Sequence, residues 1–366
     1  MPTILTFFII LLVLVIVHEF GHFIVAKFFK MRVDEFAFGF PPRLFSIKKG
    51  ETEYSFNALP LGGYVKIFGE NGEDEVAAAD MHRAFNRQHK YKQILVLLAG
   101  VTMNILLAWL LLAATYMMGT QAAESDRFSG DMLTNKKVVV SDVLKGAPAD
   151  LAGFRQLDQL VSVYAGNELV QITQSDDLPN FISAHQNESI SINFIREGET
   201  KTVTVEPLAG IATDRKVIGL SSGVIGEVRL PFVDALVVGA QNTIEYTKLT
   251  FVGFGDLFAK LFTGAGKEAA ALLTGPVGIV GLVGDAQSSG LTALLGFTAL
   301  ISINLAVLNI LPLPALDGGR IVFVLIEAVI RRPLSFKFQN IVNGVSFLLL
   351  LGLMLFITYK DIIKLF

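Results

Sequence analysis

His18-Glu19-Phe20-Gly21-His22 puts two imidazoles and a carboxylate within one helical turn. Wound as a helix, His18 and His22 fall on one face, so both can reach a single Zn²⁺. Glu19 lies beside them, placed to take a proton from a zinc-bound water. Soluble zinc proteases carry H-E-x-x-H on a helix in water. Here the motif follows Ile4 to Val17, fourteen residues without a charge, and precedes Phe23-Ile24-Val25-Ala26. Two histidines and a glutamate are costly in lipid, so such groups usually pair, bind or react. The motif predicts a hydrolytic zinc site inside a membrane.

A catalytic zinc needs a third protein ligand and a position left for water. The chain has no cysteine, so His and carboxylate must supply every ligand. Asp317 is the candidate, within Asn309-Ile310-Leu311-Pro312-Leu313-Pro314-Ala315-Leu316-Asp317-Gly318-Gly319-Arg320. Its alternative is a helix-end carboxylate paired with Arg320. Gly318 and Gly319 let neighbouring backbone approach closely. Pro312 and Pro314 cannot sit in a regular helix, which predicts an extended, partly unpaired backbone there. Such a segment could pair with an unwound substrate as an added strand, with Asn304 and Asn309 donating side-chain amides. A proline kink with capping asparagines is the other reading. His82, His89 and His185 stand in polar surroundings and are read as surface residues, not ligands.

These groups need elements to hold them. Of 366 residues, 52% are hydrophobic and only 17% charged, and the mean hydropathy is +0.56. That composition predicts a membrane domain joined to something soluble. A net charge of −3 without a basic, aromatic-interleaved stripe argues against nucleic acid as a partner. Met1-Pro2-Thr3 carries no positive side chain and no small-x-small site follows, so the first apolar segment is expected to stay uncleaved. Four stretches reach the roughly 20 residues that a bilayer needs: Ile4–Phe28, Ile94–Met118, Leu291–Leu313 and Ile341–Tyr359.

Eleven Lys and Arg lie between Lys27 and Lys92, and Arg320, Arg331, Arg332 and Lys337 separate the last two segments. By the positive-inside rule both connections are cytoplasmic, which puts both termini outside. A rise of about 1.5 Å per residue sinks His18 roughly 20 Å below the outer boundary. Segment three must then also run inward to bring Asp317 to that depth. Leu230–Phe262 carries Asp234, Glu245, Lys248 and Asp256, and reads as amphipathic helices on the outer surface.

Between Gly39 and Gly69, short strands broken by turns predict a hairpin or small meander. From the pattern alone it is either a cytoplasmic ribbon or a loop dipping back beside the metal. Glu70 to Gln93 reads as a loop or surface helix. From Lys136 to Pro207 strands dominate (Val138–Val143, Gln159–Tyr164, Ile190–Ile195, Thr202–Val205), with one helix near Leu178–His185. This predicts a separate α+β domain.

The chain resembles the site-2 protease family of intramembrane zinc metalloproteases, in particular its RseP-type bacterial branch. The family's H-E-x-x-H stands here as His18–His22, and its N-x-x-P-x-P-x-L-D-G as Asn309–Gly318. Gly100-Val101-Thr102-Met103-Asn104 is similar to the family's G-x-x-x-N, and Gly39–Phe68 to its re-entrant β-hairpin. Residues 136–207 resemble one PDZ domain, through Gly146-Ala147-Pro148-Ala149 and Ala152-Gly153. Where such domains show Gly-Asp, this chain has Leu157-Asp158, so that turn must be built differently. Many RseP-type members carry two tandem PDZ domains; the space here holds one.

The resemblance implies a polytopic α-helical membrane protein of four transmembrane helices, with a re-entrant β-hairpin and an inserted α+β PDZ-like domain. The expected parts are a membrane portion (1–118), an extracytoplasmic PDZ-like domain (119–228), an amphipathic extracytoplasmic region (229–290) and a second membrane portion (291–366). It implies a zinc endopeptidase of the bacterial cytoplasmic (inner) membrane. Its substrates would be membrane segments of single-pass proteins, such as anti-sigma factors, or remnant signal peptides. The alternatives are a membrane PDZ peptide receptor with a structural or inactive zinc site, and a transporter. Glu19 argues against the receptor, because a structural site needs no general base. The absence of an internal repeat argues against the transporter.

Overall fold

The computed structural model describes all residues except 71–77, 126, 129–131, 197, 211–215, 267, 269–272 and 364–366. Two compact units divide it: Met1–Met117 with Pro231–Phe366, and Met118–Leu230.

In the first unit, helix α1 (Thr3–Phe28) is apolar all round, yet it buries only one stripe. Phe7, Ile10, Leu14, His18, Gly21, His22 and Ala26 recur at helical spacing along that stripe, whereas Ile4, Leu5, Ile9, Val13 and Ile24 are exposed. The histidines therefore ride on the packed face and leave the apolar face for lipid. After a turn at Lys30, strands β1 (Val33–Lys49) and β2 (Thr52–Ile67) form a hairpin through Gly50, which has a φ of +67°. The register bends it into a small meander. Phe36 lies opposite both Val65 and Tyr54, so both ends of β2 flank the start of β1. Lys27 and Arg83 both reach Glu51 beside the hairpin turn, at 2.6 and 2.7 Å.

Helix α2 (Lys90–Met118) follows two short 3₁₀ turns, Ala78–Arg83 and Phe85–Arg87. Of the sequence read as a loop or surface helix, 71–77 lie outside the described residues. Helices α1 and α2 meet closely. A methyl on Gly21 would sit 2.4 Å from the Ala99 carbonyl oxygen, a distance no side chain tolerates.

The second unit, Met118–Leu230, is built on a seven-stranded sheet. Its elements are β3 (Thr120–Ala123), β4 (Thr134–Val143), α3 (Pro148–Leu151), β5 (Gln159–Ala165), β6 (Glu168–Gln171), α4 (Asp177–Ala184), β7 (Ile190–Arg196), β8 (Glu199–Val205) and β9 (Leu220–Val228). The order is β3-β9-β4-β5-β7-β8, with β6 on β5. Val140, Leu160, Val163, Leu178, Ile190, Ile192 and Phe194 form its core. Leu157 takes the positive φ, +69°, that glycine would take at the atypical turn. The buried Asp158 holds that turn, accepting from the Arg155 amide at 2.8 Å and from Arg196 at 2.6 and 2.7 Å.

The chain returns to the first unit with α5 (Phe232–Phe262), α6 (Pro276–Ser288), α7 (Leu291–Ile310), α8 (Asp317–Ile330) and α9 (Phe336–Ile363). Among the described residues, four helices are long and apolar enough to cross a membrane: α1, α2, α7 and α9. Helix α5 does more than the amphipathic surface helices expected of this region. The Trp109 indole donates to the Leu236 carbonyl at 2.8 Å, Gly239 meets the Ala113 backbone, and Asn242 bonds the Tyr116 hydroxyl. Small and hydrogen-bonding residues thus tie α5 to α2.

Helix α7 ends at Ile310, before Pro312 rather than at Leu313, because neither Pro312 nor Pro314 can continue the ladder. The expected extended segment is short. Leu311 is extended, but the Leu316 amide then bonds the Leu313 carbonyl and the chain turns into α8.

Candidate metal centre

His18 and His22 are 7% and 8% exposed and stand side by side on α1, their Nε2 atoms 3.2 Å apart. Asp317, the first residue of α8, places Oδ2 3.0 Å from His18 Nε2 and 3.3 Å from His22 Nε2. This buried oxygen has no hydrogen bond of good geometry. These three potential donor atoms are thus drawn to one point across nearly 300 residues of sequence. Ligands at ordinary zinc distances in a tetrahedron are about 3.3 Å from one another. The observed triangle, 3.0, 3.2 and 3.3 Å on its edges, fits one tetrahedral face.

Three glycines make this convergence possible. A methyl on Gly100 would lie 2.5 Å from His22 Nε2 and 2.8 Å from His18 Cε1, so α2 must be bare where the imidazoles stand. At the start of α8, a methyl on Gly318 would come within 2.2 Å of the Leu311 carbonyl oxygen. One on Gly319 would come as close to that of Leu313. The helix start is folded against its own approach segment, and this aims Asp317 at α1. Arg320, one turn further on, forms an ion pair with Glu70.

Two cavities adjoin the three ligands. One of about 450 Å³ is lined by Glu19, His22, Tyr64–Ile67, Glu70, Asp317 and Arg320 among others. The other, about 220 Å³, is lined by Val15, His18, Glu19, Leu305, Asn309, Ala315, Leu316 and Asp317. Glu19 and Asp317 border both. The end of β2 walls the larger one, so the hairpin contributes directly to the site.

Asn309 belongs to the site as well; its Nδ2 is 3.5 Å from His18 Nε2. Asn304 does not. It is exposed on α7 and lines neither cavity, because five residues rotate a helix by about 140° from the Asn309 face. Pro312 and Pro314 act through the backbone: they end α7 and leave the turn from which α8 starts. Gly100 and Asn104 also belong beside the ligands, which their residue types do not announce. Asn104 is fully buried and its amide nitrogen is 3.3 Å from His18 Nδ1. Only the shared spacing of Val96, Gly100 and Asn104, one turn apart along α2, could have hinted that they face α1.

Residues 6–353 match the model of Peptidase family M50. The chain belongs to Peptidase family M50. It is 35% identical over 353 residues to a protein of Clostridium perfringens (strain 13 / Type A), covering 96% of this chain and 95% of that one. It is 33% identical over 354 residues to a protein of Nostoc sp. (strain PCC 7120), covering 96% and 93%. A Staphylococcus aureus (strain MSSA476) protein is 27% identical over 446 aligned positions, covering 100% and 99%. All three bear the name "putative zinc metalloprotease". This M50 member is a peptidase, and its membrane helices carry the two histidines on α1.

Proposed function

We propose that this chain is an intramembrane zinc endopeptidase that cuts the membrane-spanning segments of single-pass proteins or remnant signal peptides. The observation that carries this reading is the convergence of Asp317 on His18 and His22, which lie partway along an apolar helix, with Glu19 bordering both adjoining cavities. A zinc ion held there supplies a polarised carbonyl and a water acidified towards neutrality. Glu19 takes the proton from the attacking water and passes it to the leaving amide nitrogen. The Asn309 amide donates to the substrate backbone beside the reacting carbonyl. The end of β2 and the turn at Pro312–Leu316 flank a substrate held in extended form, since a helical peptide bond is shielded from attack.

The topology that goes with this reading puts both termini and residues 118–230 outside the bacterial cytoplasmic membrane, and the Lys/Arg-rich hairpin connection inside. The 118–230 unit, read as PDZ-like, selects or excludes substrates. It takes no part in the chemistry, because all the proposed ligands and the base lie in the other unit.

Glu19→Gln tests the assignment. The amide is nearly isosteric but accepts no proton, so zinc content should stay near wild type. Cleavage of a signal peptide or of a model single-pass substrate should fall by about 10²–10⁴-fold. Cleavage at a tenth of the wild-type rate or more would remove Glu19 as the base. A folded wild-type protein without zinc would remove the zinc reading altogether.

A further inference from the structure

Both histidines of the proposed zinc site turn their second ring nitrogen towards α2. His22 Nδ1 lies 2.8 Å from the Val96 carbonyl oxygen. That carbonyl can only accept, so His22 carries its proton on Nδ1 and presents the Nε2 lone pair to the site. Among the described residues, no backbone carbonyl takes the matching place at His18. Its Nδ1 meets the side chain of Asn104, eight residues and just over two turns further along the same stripe of α2, with Gly100 between them.

The amide of Asn104 can lie either way round, and the two orientations demand opposite tautomers of His18. With the nitrogen facing the ring, at 3.3 Å, His18 Nδ1 must accept, and the proton sits on Nε2, the atom that points at Asp317 and His22. That tautomer cannot bind a metal through Nε2. With the oxygen facing the ring, Nδ1–H donates to Asn104 and the Nε2 lone pair is free. The surroundings of the Asn104 amide do not decide between the two, because its Oδ1 is buried without a hydrogen-bond partner, but an amide donor from Asn309, 3.5 Å from His18 Nε2, calls for an accepting Nε2. Asn104 is itself 0% exposed, and the Ser302 hydroxyl donates to its backbone carbonyl at 2.8 Å, which pins this turn of α2 against α7.

We propose that Asn104 is a positioning residue for the metal centre: its side-chain oxygen accepts from His18 Nδ1–H, as the Val96 carbonyl does from His22. Helix α2 then selects the metal-binding tautomer of both ligands from one stripe. The inference rests on the zinc reading above. Partners of this kind, outside the ligand set itself, typically change metal affinity by about 10–100-fold.

The experiment compares wild type, Asn104→Asp and Asn104→Leu in detergent. It measures zinc affinity by chelator competition and records the absorption spectrum after Co²⁺ substitution. Asn104→Leu keeps the approximate volume and removes the acceptor, so it should bind zinc about 10–100-fold more weakly and shift the cobalt bands. Asn104→Asp keeps an oxygen on His18 and should stay near wild-type affinity. Wild-type affinity in a folded Asn104→Leu, or equal losses in both variants, would overturn the proposal in favour of simple packing. Should Asn104→Leu fail to fold, ¹⁵N-histidine spectra of zinc-loaded wild type decide: a protonated His18 Nδ1 supports the assignment and a bare one overturns it. Wild-type protein that binds no zinc would instead bring down the zinc reading on which this one rests.

Discussion

At the scale of residues, His18, Glu19, His22 and Asp317 have side chains that can perform metal-assisted hydrolysis, and their types alone say so. Asn309 is placed differently. Its amide stands 3.5 Å from His18 Nε2, beside the ligands and outside their set. Asn309→Ala should therefore keep its zinc while losing about 1–3 kcal/mol of transition-state binding, roughly 5- to 150-fold in rate. The loss should shrink for a substrate that carries helix-breaking Gly or Pro near the cut, because less unwinding is asked of the enzyme. Parallel assays on a helix-stable and a helix-weak substrate, with zinc content measured, check both points. Equal losses on the two substrates would remove the unwinding role. Asn304 was legible as the same residue type in the same segment, but its type did not reveal the helix face it occupies.

At the scale of elements, the start of α8 and the hairpin do most to position the site. Gly318→Ala introduces a methyl 2.2 Å from the Leu311 carbonyl oxygen, which is backbone and cannot swing away. The start of α8 must move, and Asp317 with it. The expected result is loss of zinc with all three ligands still present, read by metal analysis of the folded variant.

The hairpin is tied down by Glu51. The Arg83 guanidinium, against a smaller opposing effect of burial and with help from Lys27, lowers the Glu51 carboxyl to about 2. A carboxyl depressed in the folded state stabilises above its ordinary value near 4.5 and loses that contribution as the pH falls towards 2. Glu51 is partly exposed, so the effect is modest. Hydrogen exchange in 52–56 should be faster in Glu51→Gln than in wild type near neutrality, and the two should converge as the pH approaches 2. A difference that persisted there would mean the contact is not ionic.

At the scale of the whole molecule, the ligand cluster lies wholly in one of the two units, and Met118–Leu230 form the other. On the proposed topology, protease added to right-side-out vesicles should cut within 118–230 and spare the Lys27–Lys92 connection. The reverse pattern would invert the orientation. It would leave the ligand cluster intact, since that cluster depends only on contacts inside the first unit.

The amino-acid sequence by itself determined the chemistry and the spans, because both are written in local spacing. Histidines four apart share a helix face wherever the helix lies, and an apolar stretch of sufficient length needs no partner to declare itself. The strands Val138–Val143, Gln159–Tyr164 and Ile190–Ile195 were readable for the same reason. Strand β9, Leu-Ser-Ser-Gly-Val-Ile-Gly-Glu-Val, was not. Serine and glycine have low strand propensity, and pairing between β3 and β4 makes it a strand. The amphipathic α8 was hidden by the two glycines that open it, and the packing of α5 on α2 by the charges along it. Asn104 shows the limit most directly. Its type says that it can accept or donate, but only the crossing of α1 and α2 at Gly21 and Gly100 brings it to His18. Long-range contacts of that kind depend on backbone approach and helix rotation, which no local pattern records.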